Sequence, residues 1–547
     1  MVTRVVAAWY QLGQDDKSKF DGKGPNFSSW TNDEMGVINF GSPDDKDVKV
    51  VNKFINVQGS GDDAHSIIAR QVATEGTVLV KNEDNILPLS KDGWPADQPH
   101  ELLYRIGIFG EDAGEGKGPN ACPDRGCNQG TLGSGWGSGA VEFPYLISPV
   151  SALKKAFNEE RVYVTDYPTN SPPLKAAPAI IKDQDLCIVF VNSDAGEGYL
   201  AAEGIRGDRN DLFLQKGGDD LVQNVAEGCG DGKANTIVVV HAVGPVILEK
   251  WIHLPGVKAV IIANLPGQES GNAITDVLLG NVNPSGKLPY TIGKSLKDYG
   301  PGAPILYYPN GVVPQQNFTE GLYIDYRHFD KFEVEPTFEF GFGLSYTSFE
   351  YSNILVNPLL PKSPLPAPRP AGLEPPHSDE TIPDPSTAVF PAGFRKLKGF
   401  IYPYIEKVSE IKTGKYPYPD GYDVEQTPSQ AGGGEGGNPD LWRIYATVSV
   451  DIKNTGSVVG KEVAQLYISF DQVEGEAAKV DFPVKVLRGF EKVEIKPGET
   501  KTVTFELARR DLSYWDVVVQ NWVMPSDGKI TIGVGSSSRD LKLTRWY

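Results

Sequence analysis

Leu186-Cys-Ile-Val-Phe-Val-Asn-Ser-Asp194-Ala-Gly-Glu197-Gly-Tyr199 is the stretch on which the reading of the fold turns. Leu186 to Val191 is almost continuously apolar, the pattern of a parallel strand covered on both faces. It runs straight into a glycine-rich, acidic loop. Gly196 and Gly198 flank one carboxylate, and without a Cβ the backbone there can bend sharply and leave room around Glu197. In open α/β sheets the loops at the carboxyl ends of strands bind ligands. Glu197 is therefore a candidate general acid/base; the alternative is a solvated loop carboxylate.

Outward from this stretch, helical and strand patterns alternate. Helices are predicted over 65–82, 149–160, 219–227, 245–251 and 270–279, and strands over 104–109, 161–165, 186–191, 236–241 and 258–264. Such alternation argues for βαβ units, giving an α/β sandwich domain over 65–300, with a mostly parallel sheet and flanking helices. Residues 301–344 read as a connection. From 345 to 547 the style changes: Ile444-Tyr-Ala-Thr-Val-Ser-Val-Asp-Ile452 and Lys501-Thr-Val-Thr-Phe-Glu-Leu507 alternate apolar and polar, as half-buried antiparallel strands of a β-sandwich do. A proline-rich stretch and the run Gly432–Gly437 mark a long insertion at about 357–440. Residues 1–64 read as an amphipathic helix followed by an irregular linker.

The totals narrow the function classes. The 547 residues carry a net charge of -19, which argues against nucleic acid or an anionic membrane as partner. No apolar run is long enough for a transmembrane helix. Met1 to Tyr10 lacks the apolar core and cleavage site of a signal peptide. Six scattered histidines and no second cysteine pair at zinc-like spacing point to no metal. Cys122 and Cys127 are close enough to close a small-loop disulfide, while Cys187 reads as a buried thiol. Asn26 and Asn317 head glycosylation sequons.

Gly133-Ser-Gly-Trp136-Gly-Ser-Gly139 holds one indole among glycines. It lacks the Lys-Ser/Thr of a phosphate loop. Trp136 is either a platform for a sugar face or a plug in the domain surface. Pro266-Gly-Gln-Glu269-Ser270-Gly271 follows a strand and precedes a helix, which Glu269 or Ser270 is placed to cap. Asp208 and Arg209 form a pair suited to ordering the loop beyond Glu197. Tyr326 to Asp330, with His328, and Phe340 to Tyr346 read as packing between the two domains.

Taken together these pieces resemble fungal β-glucosidases of glycoside hydrolase family 3. The resemblance rests on Val78–Leu89, Gly135–Gly139, Ala195–Tyr199, Leu265–Gly271, Glu320–Asp330, Phe340–Tyr346 and Pro483–Phe490, which occur in family order. It implies an α/β sandwich followed by a fibronectin type III-like domain, with no cofactor. It places the family's acid/base on Glu197, cleft residues on Trp136 and Tyr199, and a disulfide on Cys122–Cys127. The implied substrates are β-glucosides and cello-oligosaccharides, and the implied setting is secreted. The family's N-terminal barrel and its nucleophile aspartate find no counterpart in these residues, and no Ser-Asp-Trp or Thr-Asp-Trp occurs. The expectation is an incomplete, inactive chain that needs a barrel as partner, or a non-catalytic carbohydrate- or partner-binding protein.

Overall fold

The computed structural model describes residues 2–13, 15–16, 35–37, 46, 48–50, 65–93, 103–116, 129–135, 143, 145–171, 179–196, 201–202, 205–206, 209–303, 310–368, 381–382, 384, 412–415 and 437–547. The chain divides into two compact units, one of 1–64 with 370–429 and one of 65–369 with 430–547. In the first, Val2–Gln11 is helical and exposes Val5, Val6 and Tyr10. The stretch that follows, expected to be irregular, contains the strand pair Met35–Val37 and Val48–Val50, because both short runs can satisfy their backbone groups in one antiparallel ladder.

The second unit opens with helix α1 (His65–Gly76) and strand β1 (Val78–Asn82). One helix had been expected through residue 82. Val78, Leu79 and Val80 are instead all buried, two of them β-branched, and they pair antiparallel with a later strand. There follow β2 (Tyr104–Phe109), α2 (Pro149–Ala156), β3 (Val162–Tyr167), β4 (Leu186–Ser193) and α3 (Gly218–Gly228). The domain closes with β5 (Asn235–Ala242), β6 (Val257–Ile262) and α4 (Ser270–Leu278).

The sheet order is β1-β6-β5-β4-β2-β3, parallel except at the β1 edge. Every residue of β4 is buried. Cys187, Val189 and Val191 enter the core on one face, with Trp251 and the apolar side of α3. Leu186, Ile188 and Phe190 enter the core on the other, with α2 and α4. That two-sided burial is why the strand reads as a continuous apolar run.

The helix expected at 245–251 does not form. The Ile247 N–H bonds across to the Leu212 carbonyl, and only single turns close at Leu248. Val246, Leu248 and Trp251 are buried there for packing on the sheet, not for helical periodicity. Cys187 is not a free thiol: it is bonded to Cys229, which stitches the middle of the sheet to the end of α3.

Helix α5 (Tyr326–Lys331) leads to the second domain. Strands β7 (Phe349–Pro358), β8 (Ile444–Asn454), β9 (Gly460–Val473), β10 (Val486–Ile495), β11 (Thr500–Ala508), β12 (Gly528–Gly535) and β13 (Leu541–Trp546) form two antiparallel sheets. Their orders are β7-β8-β11 and β10-β9-β12-β13. Val448, Val450 and Ile452 of one sheet meet Leu466, Ile468 and Ile532 of the other in a single core. The alternation expected at residues 444–452 and 501–507 is the alternation observed.

The aromatic segments do join the two domains. Tyr326 packs on Phe340 with ring centres 4.8 Å apart, and its hydroxyl accepts from the Leu487 N–H. His328 is buried and packs on Phe332, and burial holds its imidazole below its ordinary value. It is a structural histidine.

Candidate active site

Four chain segments meet at the carboxyl end of the parallel sheet. The first leaves β2 through Gly110, whose φ is +104° and where a Cβ would stand 1.9 Å from the Phe190 carbonyl. Only glycine can turn the chain there. The turn places Asp112 under the sheet end, 1% exposed. Its Oδ2 lies 2.5 Å from Nδ1 of His241, on β5, while its Oδ1 accepts from Asn192, on β4, at 3.1 Å and from the Leu132 N–H at 2.8 Å. One carboxylate thus joins three strands to the loop at 129–135.

That loop is tied down twice more. Thr131 and Ser270 share a hydroxyl hydrogen bond of 2.7 Å, and the Gly133 carbonyl accepts from the Gly267 N–H at 3.0 Å. It then reaches the segment leaving β4. A Cβ on Gly135 would lie 2.7 Å from the Ala195 carbonyl oxygen and 3.6 Å from the Asp194 carboxylate. The two segments therefore touch backbone to backbone, one residue before Trp136 and two before Glu197.

Asp194 forms the floor beneath them. It is 2% exposed, and its Oδ1 accepts from the Ala195 N–H at 2.8 Å. Gln215 brackets its backbone, accepting from the Asp194 N–H at 3.0 Å and donating to its carbonyl at 2.7 Å. Burial pushes the Asp194 carboxyl up to about 7; the Ala195 N–H and Lys216 work against that, and Asp112 works with it. The Lys216 ammonium lies 3.0 Å from Glu111.

Glu197, Tyr199, Trp136, Cys122, Cys127 and Asn26 lie outside the described residues. Asn317 is exposed. Arg209 donates to the Pro245 carbonyl at 2.7 Å and to Ser193 at the end of β4; Asp208 lies outside the described residues. Neither Glu269 nor Ser270 caps α4 through its side chain. The Glu269 carboxylate is occupied by the Tyr145 hydroxyl and by Asn272, and the Ser270 hydroxyl by Thr131. Burial, with the Glu269 hydrogen bond, pushes the Tyr145 phenol up to about 12.

The buried Asp112, Asn192, Asp194 and His241 were not among the residues singled out from the sequence. The available signal was position. Asp112 stands two residues after the glycine that ends an apolar strand, and Asp194 falls inside the quoted stretch itself.

Residues 77–346 match the glycosyl hydrolase family 3 C-terminal domain, and residues 462–538 match the fibronectin type III-like domain. The chain is 55% identical over 552 residues to a protein of Aspergillus fumigatus described as "Probable beta-glucosidase E", which spans 100% of this chain and 52% of that protein. A protein of Neosartorya fischeri with the same description is 54% identical over 572 residues, spanning 100% and 54%. Among solved structures, a family 3 β-glucosidase from Neurospora crassa superposes with a TM-score of 0.76 at 39% identity, covering 96% of this chain and 60% of that one. A β-glucosidase from Chaetomium thermophilum gives 0.75 at 41%, covering 96% and 61%. The chain spans about half the length of the curated relatives it matches.

Proposed function

This chain belongs to glycoside hydrolase family 3, and we propose that it supplies the acid/base half of a retaining, secreted β-glucosidase that releases glucose from the non-reducing ends of cellobiose and other β-glucosides. The observation that supports this is the backbone contact between Gly135 and Ala195 at the carboxyl end of the sheet. It anchors side by side the segments that lead into Trp136 and into Glu197.

In this reading Glu197 protonates the glycosidic oxygen as the leaving group departs. It then takes a proton from the water that attacks the glycosyl intermediate. Trp136 and Tyr199 line the cleft, the indole packing on the apolar face of a sugar. Asp112, Asp194 and Gln215 act beneath them by fixing the ends of the strands and the root of the loop. Retention needs a second carboxyl about 5–5.5 Å from the acid/base, as the nucleophile. We read that group as lying outside these 547 residues, so the chain alone turns over little or no substrate. The second reading, a non-catalytic carbohydrate-binding protein, draws on the exposed indoles described below.

The test is hydrolysis of an aryl β-glucoside by this chain, by its Glu197→Gln variant, and by each mixed with the barrel domain of a relative. The expected result is no turnover by either alone and turnover restored by the barrel only when Glu197 is present. Turnover by the chain alone that disappears in Glu197→Gln would show that it carries its own nucleophile. Failure to restore activity, with the barrel known to be folded, would favour the non-catalytic reading.

A further inference from the structure

At one end of the β-sandwich the chain exposes indoles that the reaction above does not use. Trp442 ends the turn Pro439–Trp442 and is 57% exposed. Trp515 and Trp522 face one another across the hairpin formed by Tyr514–Asp516 and Asn521–Val523, with ring centres 6.0 Å apart, edge to face. Trp515 is 41% exposed. The Arg510 guanidinium lies 5.2 Å from the Trp442 ring and 5.2 Å from the Trp522 ring, within cation–π range of both.

The frame beneath these rings is tied down by hydrogen bonds. Arg509, next to Arg510, is fully buried and donates to the Ser363 hydroxyl at 2.8 Å, the Ser363 carbonyl at 2.6 Å and the Tyr445 hydroxyl at 3.0 Å. The Asp516 carboxylate accepts from the Val518 and Val519 N–H groups at 2.8 and 2.9 Å and so fixes the hairpin tip. Rings held in this way lose little conformational freedom when a ligand settles on them.

The geometry points to a second carbohydrate site here, a platform of Trp442, Trp515 and Trp522 with Arg510 that binds the β-glucan chain itself. A β-linked glucose unit has apolar C–H faces and a rim of equatorial hydroxyls. Indole faces match the former; the guanidinium and the indole N–H groups can donate to the latter. A dry protein interface would instead bury the Arg510 charge, which among the described residues has no salt bridge within 4 Å and only a through-space attraction to Asp511. A net charge of -19 disfavours an anionic membrane. The choice of β-glucan rests on the β-glucosidase reading; the presence of a platform does not.

The experiment is affinity electrophoresis of the full 547-residue chain through gels containing a soluble β-1,3/β-1,4-glucan. Retardation of the parent chain is expected. Trp442→Ala and Trp515→Ala should each weaken it about tenfold or more, while Trp442→Tyr, which keeps an aromatic face, should retain most of it. Glu197→Gln should be retarded like the parent. A parent chain that runs unretarded, or Trp→Ala variants as retarded as the parent, would overturn the proposal. So would binding lost in Glu197→Gln alone, because the glucan would then sit in the cleft. Self-association abolished by Val518→Asp, without glucan retardation, would assign the hairpin to a second copy of the chain. Platform binding by a chain that no barrel can activate would leave this site standing and remove the catalytic reading.

Discussion

The Asp112 carboxylate stands 2.5 Å from Nδ1 of His241, and neither side chain is more than 1% exposed. The other oxygen of the same carboxylate serves Leu132 and Asn192. Replacing Asp112 by Ala would leave an N–H, an amide and an imidazole nitrogen without their acceptor inside the protein. The expected cost is about 3–5 kcal/mol, because a broken buried pair leaves its partners uncompensated. Asp112→Asn keeps one acceptor oxygen and should cost less. Urea unfolding of the three chains gives the order; equal midpoints would contradict this account.

Asp194 should make stability depend on pH. Its carboxyl titrates near 7 in the fold against an ordinary 3.8. The folded chain therefore binds this proton more tightly than the unfolded chain does. The stabilisation is fully present below about pH 4 and is lost as the pH rises through about 7. Asp194→Asn cannot ionise and still offers an oxygen to the Ala195 N–H. Relative to the parent it should gain stability between pH 5 and pH 8, by roughly 2–3 kcal/mol. Urea unfolding at those two pH values measures the change; a constant difference between the chains would sink the idea.

How far the sequence reveals this molecule depends on how local each cause is. Strand β4 is legible because both of its faces are buried, so its own residues carry the whole signal. Strands β8 and β11 are legible because one face is wet and the alternation shows. The segment at 245–251 is misleading because its apolar residues answer to the sheet beneath them, while its backbone bonds to Leu212. In the candidate site, Gly110 marks the turn that ends β2. The Asp112–His241 pair leaves no such mark, since its members are 129 residues apart and meet only when β2 and β5 enter the same sheet. The Cys187–Cys229 bond is hidden in the same way: an apolar strand disguises one of its cysteines as an ordinary core residue.

That disulfide closes 42 residues between β4 and the end of α3. By the chain-entropy argument its loss should cost about 2–4 kcal/mol. The double variant Cys187→Ala with Cys229→Ala should show a lower urea midpoint than the parent. Adding reductant to the unfolded parent should remove most of the difference. Thiol titration of the parent unfolded in urea without reductant should find neither Cys187 nor Cys229 reactive. Two reactive thiols mapped to these positions would restore the reading of Cys187 as a free buried thiol.

Asp330 should decide whether the α/β domain and the sandwich unfold together. It lies on α5, is 7% exposed at its side chain, and takes Lys485 at 2.7 Å and Arg539 at 3.3 Å, both from the sandwich domain. Arg539 also reaches Glu335 at 2.8 Å and the Val334 carbonyl at 2.8 Å, so it keeps partners if Asp330 is removed. Among the described residues Lys485, at 14% side-chain exposure, has no second acceptor. Asp330→Ala should therefore cost about 3–5 kcal/mol through the stranded lysine. Arg539→Ala leaves Asp330 paired with Lys485 and should cost less. Because Asp330 belongs to the junction, its loss should also weaken the coupling between domains, and calorimetry should show one transition broadening or separating into two. If Asp330→Ala only shifts a single sharp transition, and Arg539→Ala shifts it equally, the ion cluster adds stability without joining the domains. The coupling would then rest on the Tyr326–Tyr467 ring contact, with centres 6.1 Å apart, and on Gln465, whose amide donates to the Gly341 carbonyl at 3.0 Å.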